Sequence, residues 1–390
     1  MPEELRIAIL AALDRRGPTK TICPSEVARE LWPEDWRARM DDVRSIATAL
    51  EKQGLLKITQ KGPSIDIATV SGPIRLRPAR PKASYRWQDI RFGLCCQFAA
   101  APIPFRTTTA TSLMRLPREG QLGKLSTLCL VNSQSLLTSL QFCADHQIGA
   151  FRINSSLFPC KTHPVVGYAV DELPEAAAVR RTLAACRQFA RTSDIRTTFH
   201  PDQFVVLNST RPDVVERSLE DLAYHAELAE LVGADVINIH GGGSFGDKPT
   251  AIRALIRQIK LLPESIRSRL TLENDDRVFS PSDLLPVCHE TGVPLVYDVH
   301  HHRCLKDELT IETATAAALK TWTREPLFHI SSPLEGWSGP RPERHHDHID
   351  PNDFPACWRG ISMTVDIEAK AKELAIATLI PQLSTGSHPK

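Results

Sequence analysis

From residue 89 onward the chain alternates between short apolar runs and longer amphipathic stretches. The apolar runs predict strands over Ile90–Cys96, Ala150–Asn154, Arg196–His200, Asp235–His240, Arg269–Asn274, Pro294–His300, Pro326–Ser331 and Ile361–Glu368. Between them, helical spacing of apolar residues predicts helices over Ser133–His146, Glu175–Arg191, Val214–Leu231, Thr250–Leu262, Ser282–Thr291 and Glu312–Thr321. Unbroken Val, Ile and Leu runs mark parallel strands covered on both faces. Eight such units predict an α/β fold, the (β/α)8 TIM barrel. A doubly wound open sheet would also alternate, but no Gly-rich phosphate fingerprint follows the first strand.

Residues 1–71 read as a separate unit. Helices are expected over Glu3–Arg16, Ser25–Leu31 and Trp36–Gln53, then strands over Leu55–Thr59 and Ile65–Val70 about a Lys61-Gly62-Pro63 turn. Three helices and a hairpin form the order of a winged helix, a fold that presents its third helix to DNA or serves as a docking module. Arg37, Arg39 and Arg44 fall on the expected third helix, interrupted by Asp41 and Asp42. Residues 72–88, rich in Pro, Arg and Lys, read as a stiff linker; residues 89–381 form the barrel and 382–390 a flexible tail.

Composition narrows the class. With 42% hydrophobic and 24% charged residues the chain reads as an ordinary soluble protein, and its net charge is +1. Residues 1–86 carry 16 Lys and Arg against 11 Asp and Glu, so the basic excess is N-terminal, where phosphate contacts would add sequence-independent DNA affinity. No stretch has the order of a signal peptide and no apolar run would span a bilayer, so a cytoplasmic protein is expected. The ten cysteines show no CxxC pair; Cys95 and Cys96 read as buried strand residues of a reduced protein.

Candidate chemistry lies at the strand ends. In PLVYDVHHH, Pro294–His302, an apolar strand runs into Asp298 and three histidines, which a buried strand accommodates only with a partner such as a divalent metal. The design recurs at His200, at His240 before Gly241-Gly242-Gly243 (where backbone could approach a ligand closely), at Glu273, His329 and Glu368, with His301 beside Asp298. His345, His346 and His348 lie in the loop after the seventh strand, and His163 after the second. In a barrel these C-terminal strand ends converge on one face. Imidazole and carboxylate without thiolate suit Mn, Zn or Fe, and more ligands than one ion takes imply two or three ions. Paired ions clamp the attacking and leaving oxygens of an in-line displacement at phosphorus. His146, His225, His289 and His388 read as structural or exposed.

The segments FRINSSLFP with THP, FHPDQFVVLNS, NIHGGGSFGDK, LENDD, DVHHH, HISSP and IEAKAKELA closely resemble the ultraviolet damage endonucleases, in order over residues 90–381. The resemblance implies a barrel related to apurinic endonuclease IV, up to three divalent ions, often Mn2+ (with Zn2+, Mg2+ or Fe2+ as alternatives), and cleavage of lesion-containing double-stranded DNA immediately 5′ to a photoproduct. It implies metal ligands at His200, His240, Glu273, Asp298, His301, His329, His345 and Glu368, catalytic roles for Glu273 and His163, and a duplex-probing Gln203. Phe204 stands where members often carry Tyr, Leu94 where some carry Tyr, and Leu327 where some carry a carboxylated Lys. A monomer without membrane association is expected. The same shell also fits a multinuclear iron enzyme acting on a small molecule or peptide, because function lies in the site and not the barrel.

Overall fold

Eight parallel strands close on themselves in the computed structural model, which describes residues 2–16, 20–52, 55–60, 72–78 and 85–385. Ahead of them, helices α1 (Pro2–Arg16), α2 (Pro24–Leu31) and α3 (Met40–Lys52) precede an antiparallel pair, β1 (Leu56–Thr59) and β2 (Arg75–Pro78). Strand β3 (Arg86–Trp87) pairs antiparallel with β4 (Ile90–Cys95). The barrel continues through β5 (Ala150–Ile153), β6 (Arg196–Phe199), β7 (Val236–His240), β8 (Leu270–Glu273), β9 (Leu295–Asp298), β10 (Leu327–Ile330) and β11 (Met363–Ile367). Strand β11 returns to β4 with Met363 opposite Ile90. The crossovers carry α4 (Ala110–Leu113), α5 (Arg118–Asp145), α6 (Ala176–Thr192), α7 (Pro212–Val232), α8 (Lys248–Leu261), α9 (Glu264–Arg267), α10 (Pro281–Thr291), α11 (Val299–Cys304) and α12 (Ile311–Leu319), and α13 (Glu373–Thr385) follows the last strand. Nearly every strand residue is buried, as parallel strands under a helical layer require.

Several boundaries move. The sixth strand stops at Asp298, not His300, because the Asp298 side chain accepts from the His301 amide at 2.8 Å and caps α11. The third N-terminal helix begins at Met40, since residues 33–39 form turns, and Asp41 and Asp42 occupy its first turn. Arg37 and Arg39 therefore precede the helix; Arg39 lies 3.5 Å from Asp35 and 3.7 Å from Asp42, and Arg44 donates to the Gly72 carbonyl at 2.8 Å. The expected strand Ile65–Val70 lies outside the described residues; among the described residues β1 pairs with Arg75–Pro78, from the stretch read as linker. Residues 382–385, read as tail, complete α13. Helix α5 starts well before Ser133, its first half masked by glycines and hydroxyl residues. Cys95 ends β4, whereas half-buried Cys96 lies just beyond it.

The face opposite the C-terminal strand ends holds a clamp across the closure. Glu325, just ahead of β10, accepts from Arg91 Nε at 3.0 Å and Thr364 Oγ1 at 2.6 Å, and pairs with Arg86. It thereby joins β3, β4 and β11. Burial alone would raise its pKa, but the Thr364 hydroxyl and the Arg91 and Arg86 guanidiniums outweigh that and hold it at about 2. A folded-state value below the unfolded one adds stability at neutral pH that is lost as pH falls through about 4 toward about 2. Glu325→Gln should cost about 2 kcal/mol at pH 7, measured by urea unfolding. The gap to the parent should shrink to roughly half near pH 3, and an undiminished gap there would refute the clamp.

Candidate metal centre

Glu273, at the end of β8, is fully buried at the middle of the strand-end cluster. Its Oε2 lies 2.9 Å from His200 Nε2 and accepts from the Asn238 amide; its Oε1 lies 3.2 Å from His329 Nδ1 and 3.4 Å from His301 Nδ1. The His240 ring sits 5.2 Å from that of His200 and 5.8 Å from that of His301. On β10 and beyond β11, His329 Nδ1 is 3.3 Å from Glu368 Oε1, and His345 Nδ1 is 3.8 Å from Glu368 Oε2. The eight expected ligands thus meet at one end of the barrel.

Two groups of ligand atoms stand out, His200 with His240 and Glu273, and Glu273 with Asp298 and His329, each with its atoms within 4.8 Å of one another. Glu273 belongs to both. A divalent ion fits them by a further criterion: buried His240 Nδ1, Glu273 Oε1, Asp298 Oδ2 and His329 Nδ1 make no hydrogen bond. Buried polar atoms are normally satisfied, so such orphans call for a partner outside the chain. Backbone carbonyls fix two ring tautomers. His200 Nδ1 is 3.0 Å from the Pro201 carbonyl and His301 Nδ1 3.0 Å from that of Asn274, which makes Nε2 the ligand nitrogen of each neutral ring, that of His200 turned toward Glu273.

The site is electrostatically prepared for cations. Burial lowers the pKa of His240, keeping its imidazole neutral. Burial opposes protonation of His301 and His329 as well, but Asp298 and Glu273 raise the first well above its ordinary value, and Glu273 and Glu368 raise the second to about 9. Against the cost of burial, neighbouring imidazoles hold Glu273, and Arg152 with His329 holds Glu368, well below the usual carboxylate range. Protons on these imidazoles therefore occupy positions that a metal would take.

The sequence model of the family described as UV-endonuclease UvdE matches residues 90–388, more than half of the chain. The chain belongs to that family. The UV DNA damage endonuclease of Bacillus cereus (strain G9842) is 32% identical over 292 residues, covering 72% of this chain and 90% of its own. That of Bacillus velezensis is 31% identical over 310 residues, covering 75% and 94%. The crystal structure of SacUVDE superposes with a TM-score of 0.68 at 29% identity, over 76% of this chain and 98% of its own. A second model, described as a protein of unknown function (DUF3253), matches residues 2–79.

The other positions singled out by the resemblance lie outside both ligand groups. Gln203 and Phe204 occupy the exposed turn after β6, with Phe204 75% exposed. His163 lies in the β5–α6 loop, outside both ligand groups, and its Nδ1 accepts from the Val165 and Val166 amides at 3.1 and 3.3 Å. Leu94 and Leu327 are buried strand residues, Leu327 packed among Val236, Val296 and Trp322. The three consecutive histidines have separate surroundings. His301 faces Glu273; His302 is 2.6 Å from the Tyr297 hydroxyl and 2.9 Å from Asp307; His300 lies against Trp337 and His345 with neither ring nitrogen hydrogen-bonded. His346 and His348 are absorbed by their loop, the His348 amide donating to His346 Nδ1 at 2.9 Å. The room expected beside the glycine run is taken by the protein itself: Gly242, at φ +88°, leaves space that Asn208 fills, and Asn208 Nδ2 donates to the Gly243 carbonyl at 2.9 Å.

Sequence reasoning missed Arg152 and Asp366, two charged residues inside apolar strand runs; Asp366 stands two residues before Glu368, hence on the same face of the chain.

Mn2+ should raise the unfolding temperature of the parent protein, since a ligand at about 100 times its Kd adds about 2.7 kcal/mol. The gain should grow from pH 6 to pH 8, because the metal must displace protons from His301 and His329 and does so more easily as pH rises, and Glu273→Gln should remove most of it. A pH-independent gain, or one retained in that variant, would exclude Glu273 as the shared ligand.

Proposed function

We propose that this chain is a metal-dependent DNA repair endonuclease that hydrolyses the phosphodiester 5′ to ultraviolet photoproducts in double-stranded DNA, using two or three divalent ions, Mn2+ foremost. The observation that carries this reading is Glu273, common to two groups of nitrogen and oxygen ligands in a family of UV endonucleases. Divalent ions held there would neutralise charge developing on the phosphate and on both the attacking and leaving oxygens.

The chain's own residues divide the rest of the work. His200, His240 and Glu273 form one side of the ligand set and Asp298, His301, His329, His345 and Glu368 the other. With Nδ1 accepting two backbone amides, the His163 ring carries its proton on Nε2 and donates it as a hydrogen bond to a phosphate oxygen. Gln203 and the exposed ring of Phe204 enter the duplex where the damaged bases leave it. Extrusion is feasible because a photoproduct already weakens pairing and stacking.

A duplex carrying one defined photoproduct, incubated with protein and Mn2+, should be cut at the bond immediately 5′ to the lesion. Equal cutting of intact duplex, or a cut elsewhere, would reject the proposal. Glu273→Gln should abolish cleavage while retaining DNA binding.

Phe204→Ala should lower the preference for damaged over intact duplex about ten- to a hundredfold, because base stacking on an aromatic ring contributes roughly 1–3 kcal/mol. Competition binding with the two duplexes measures this, and an unchanged preference would move the wedge elsewhere.

A further inference from the structure

Below the ligand cluster, the barrel interior contains a carboxylate with no assigned task. Asp366 is fully buried on β11, and neither of its oxygens makes a hydrogen bond. An ionised carboxylate in such a place is costly unless it is paired. Its surroundings are built around it. Arg152 of β5 places Nε 3.3 Å from Asp366 Oδ2 while its Nη2 pairs with Glu368. Gly93 of β4 leaves the room, since a Cβ there would fall 2.0 Å from Asp366 Oδ1. Strand register sets Asp366 opposite His329.

His329 offers its two nitrogens to different partners. Nδ1 faces Glu273 Oε1 at 3.2 Å and Glu368 Oε1 at 3.3 Å, the acidic side of the candidate metal centre. Nε2 faces Asp366 Oδ2 at 3.7 Å. If Nδ1 gives its lone pair to a cation, the neutral ring carries its proton on Nε2 and needs an acceptor there. Metal-binding histidines regularly donate to a carboxylate in this way, which fixes ring orientation and raises ligand basicity. His200 and His301 have backbone carbonyls on their far nitrogens, whereas Asp366 is the carboxylate facing that of His329.

We propose that Asp366 is a positioning residue: it accepts the Nε2 proton of His329, the contact shortening to hydrogen-bond length, and so directs the Nδ1 lone pair to the divalent ion held with Glu273 and Asp298. Arg152 balances the charge and steadies Glu368 with the same guanidinium. This rests on the reading of His329 as a metal ligand.

The test compares the full-length parent with Asp366→Leu, which removes the acceptor, and Asp366→Asn, which keeps one without the charge. Mn2+ is titrated into each metal-free protein, with bound metal counted by elemental analysis and metal-free stability followed by urea unfolding. Asp366→Leu should weaken one class of Mn2+ sites about 10- to 100-fold at urea concentrations where the variant is still folded, and Asp366→Asn should recover part of the loss. In diamagnetic Zn2+-loaded protein, nitrogen-15 histidine spectra should show His329 protonated on Nε2 in the parent and lose that signal in Asp366→Leu. Parent-like Mn2+ affinity in Asp366→Leu would overturn the proposal while leaving the metal reading intact; a parent that binds no divalent ion would overturn both. Should Asp366→Leu not fold, Asp366→Asn decides: weakened affinity supports the proposal and parent-like affinity overturns it.

Discussion

Buried carboxylates left short of hydrogen-bond partners are the constraint on which this barrel turns. Glu273 and Asp298 are fully removed from solvent, and burying one ionised group costs several kcal/mol unless opposite charge or donors approach. The chain supplies Asn238 and imidazoles, yet leaves one oxygen of each carboxylate without a hydrogen bond. The deficit sits where eight strand ends converge. It marks the candidate metal centre as a place whose unsatisfied oxygens and ring nitrogens suit a cation.

The barrel separates stability from chemistry along its axis. At the end away from the ligands, Glu325 ties the strands across the closure through arginines and a threonine, fully paired within the protein. At the other end the charged groups are deliberately under-satisfied. Between them the side chains of Arg152 and Asp366 pass through the packed interior. A fault at the lower end should weaken the fold, whereas one at the upper end should alter the candidate metal centre.

The barrel strands were legible because parallel strands under helices leave unbroken apolar runs, and each of the eight expected there overlaps an observed one. Ligand candidates were legible because a histidine or carboxylate ending such a run has no cheap alternative. What escaped was polar chemistry whose explanation lies across the barrel. Arg152 and Asp366 interrupt β5 and β11 and are 214 positions apart in the chain, so no spacing pattern links them. Their meeting follows from barrel closure. The start of α11 escaped for the opposite reason, being too local: one Asp298 side chain bonding three residues ahead converts an apparent strand into a helical turn. The third N-terminal helix was drawn too long because amphipathic turns over residues 33–39 mimic its first turn.

The run His300–His302 carries a consequence for how this gene can change. Three identical letters encode three unlike environments: a ring beside Trp337, a neighbour of Glu273 and a latch between Tyr297 and Asp307. Losing or gaining one histidine codon would look almost silent in an alignment. In the folded chain it would rotate every later residue of that turn by about 100° and carry each imidazole into another's surroundings. The repeat is uniform as text and aperiodic as structure, so its length is constrained as tightly as its composition.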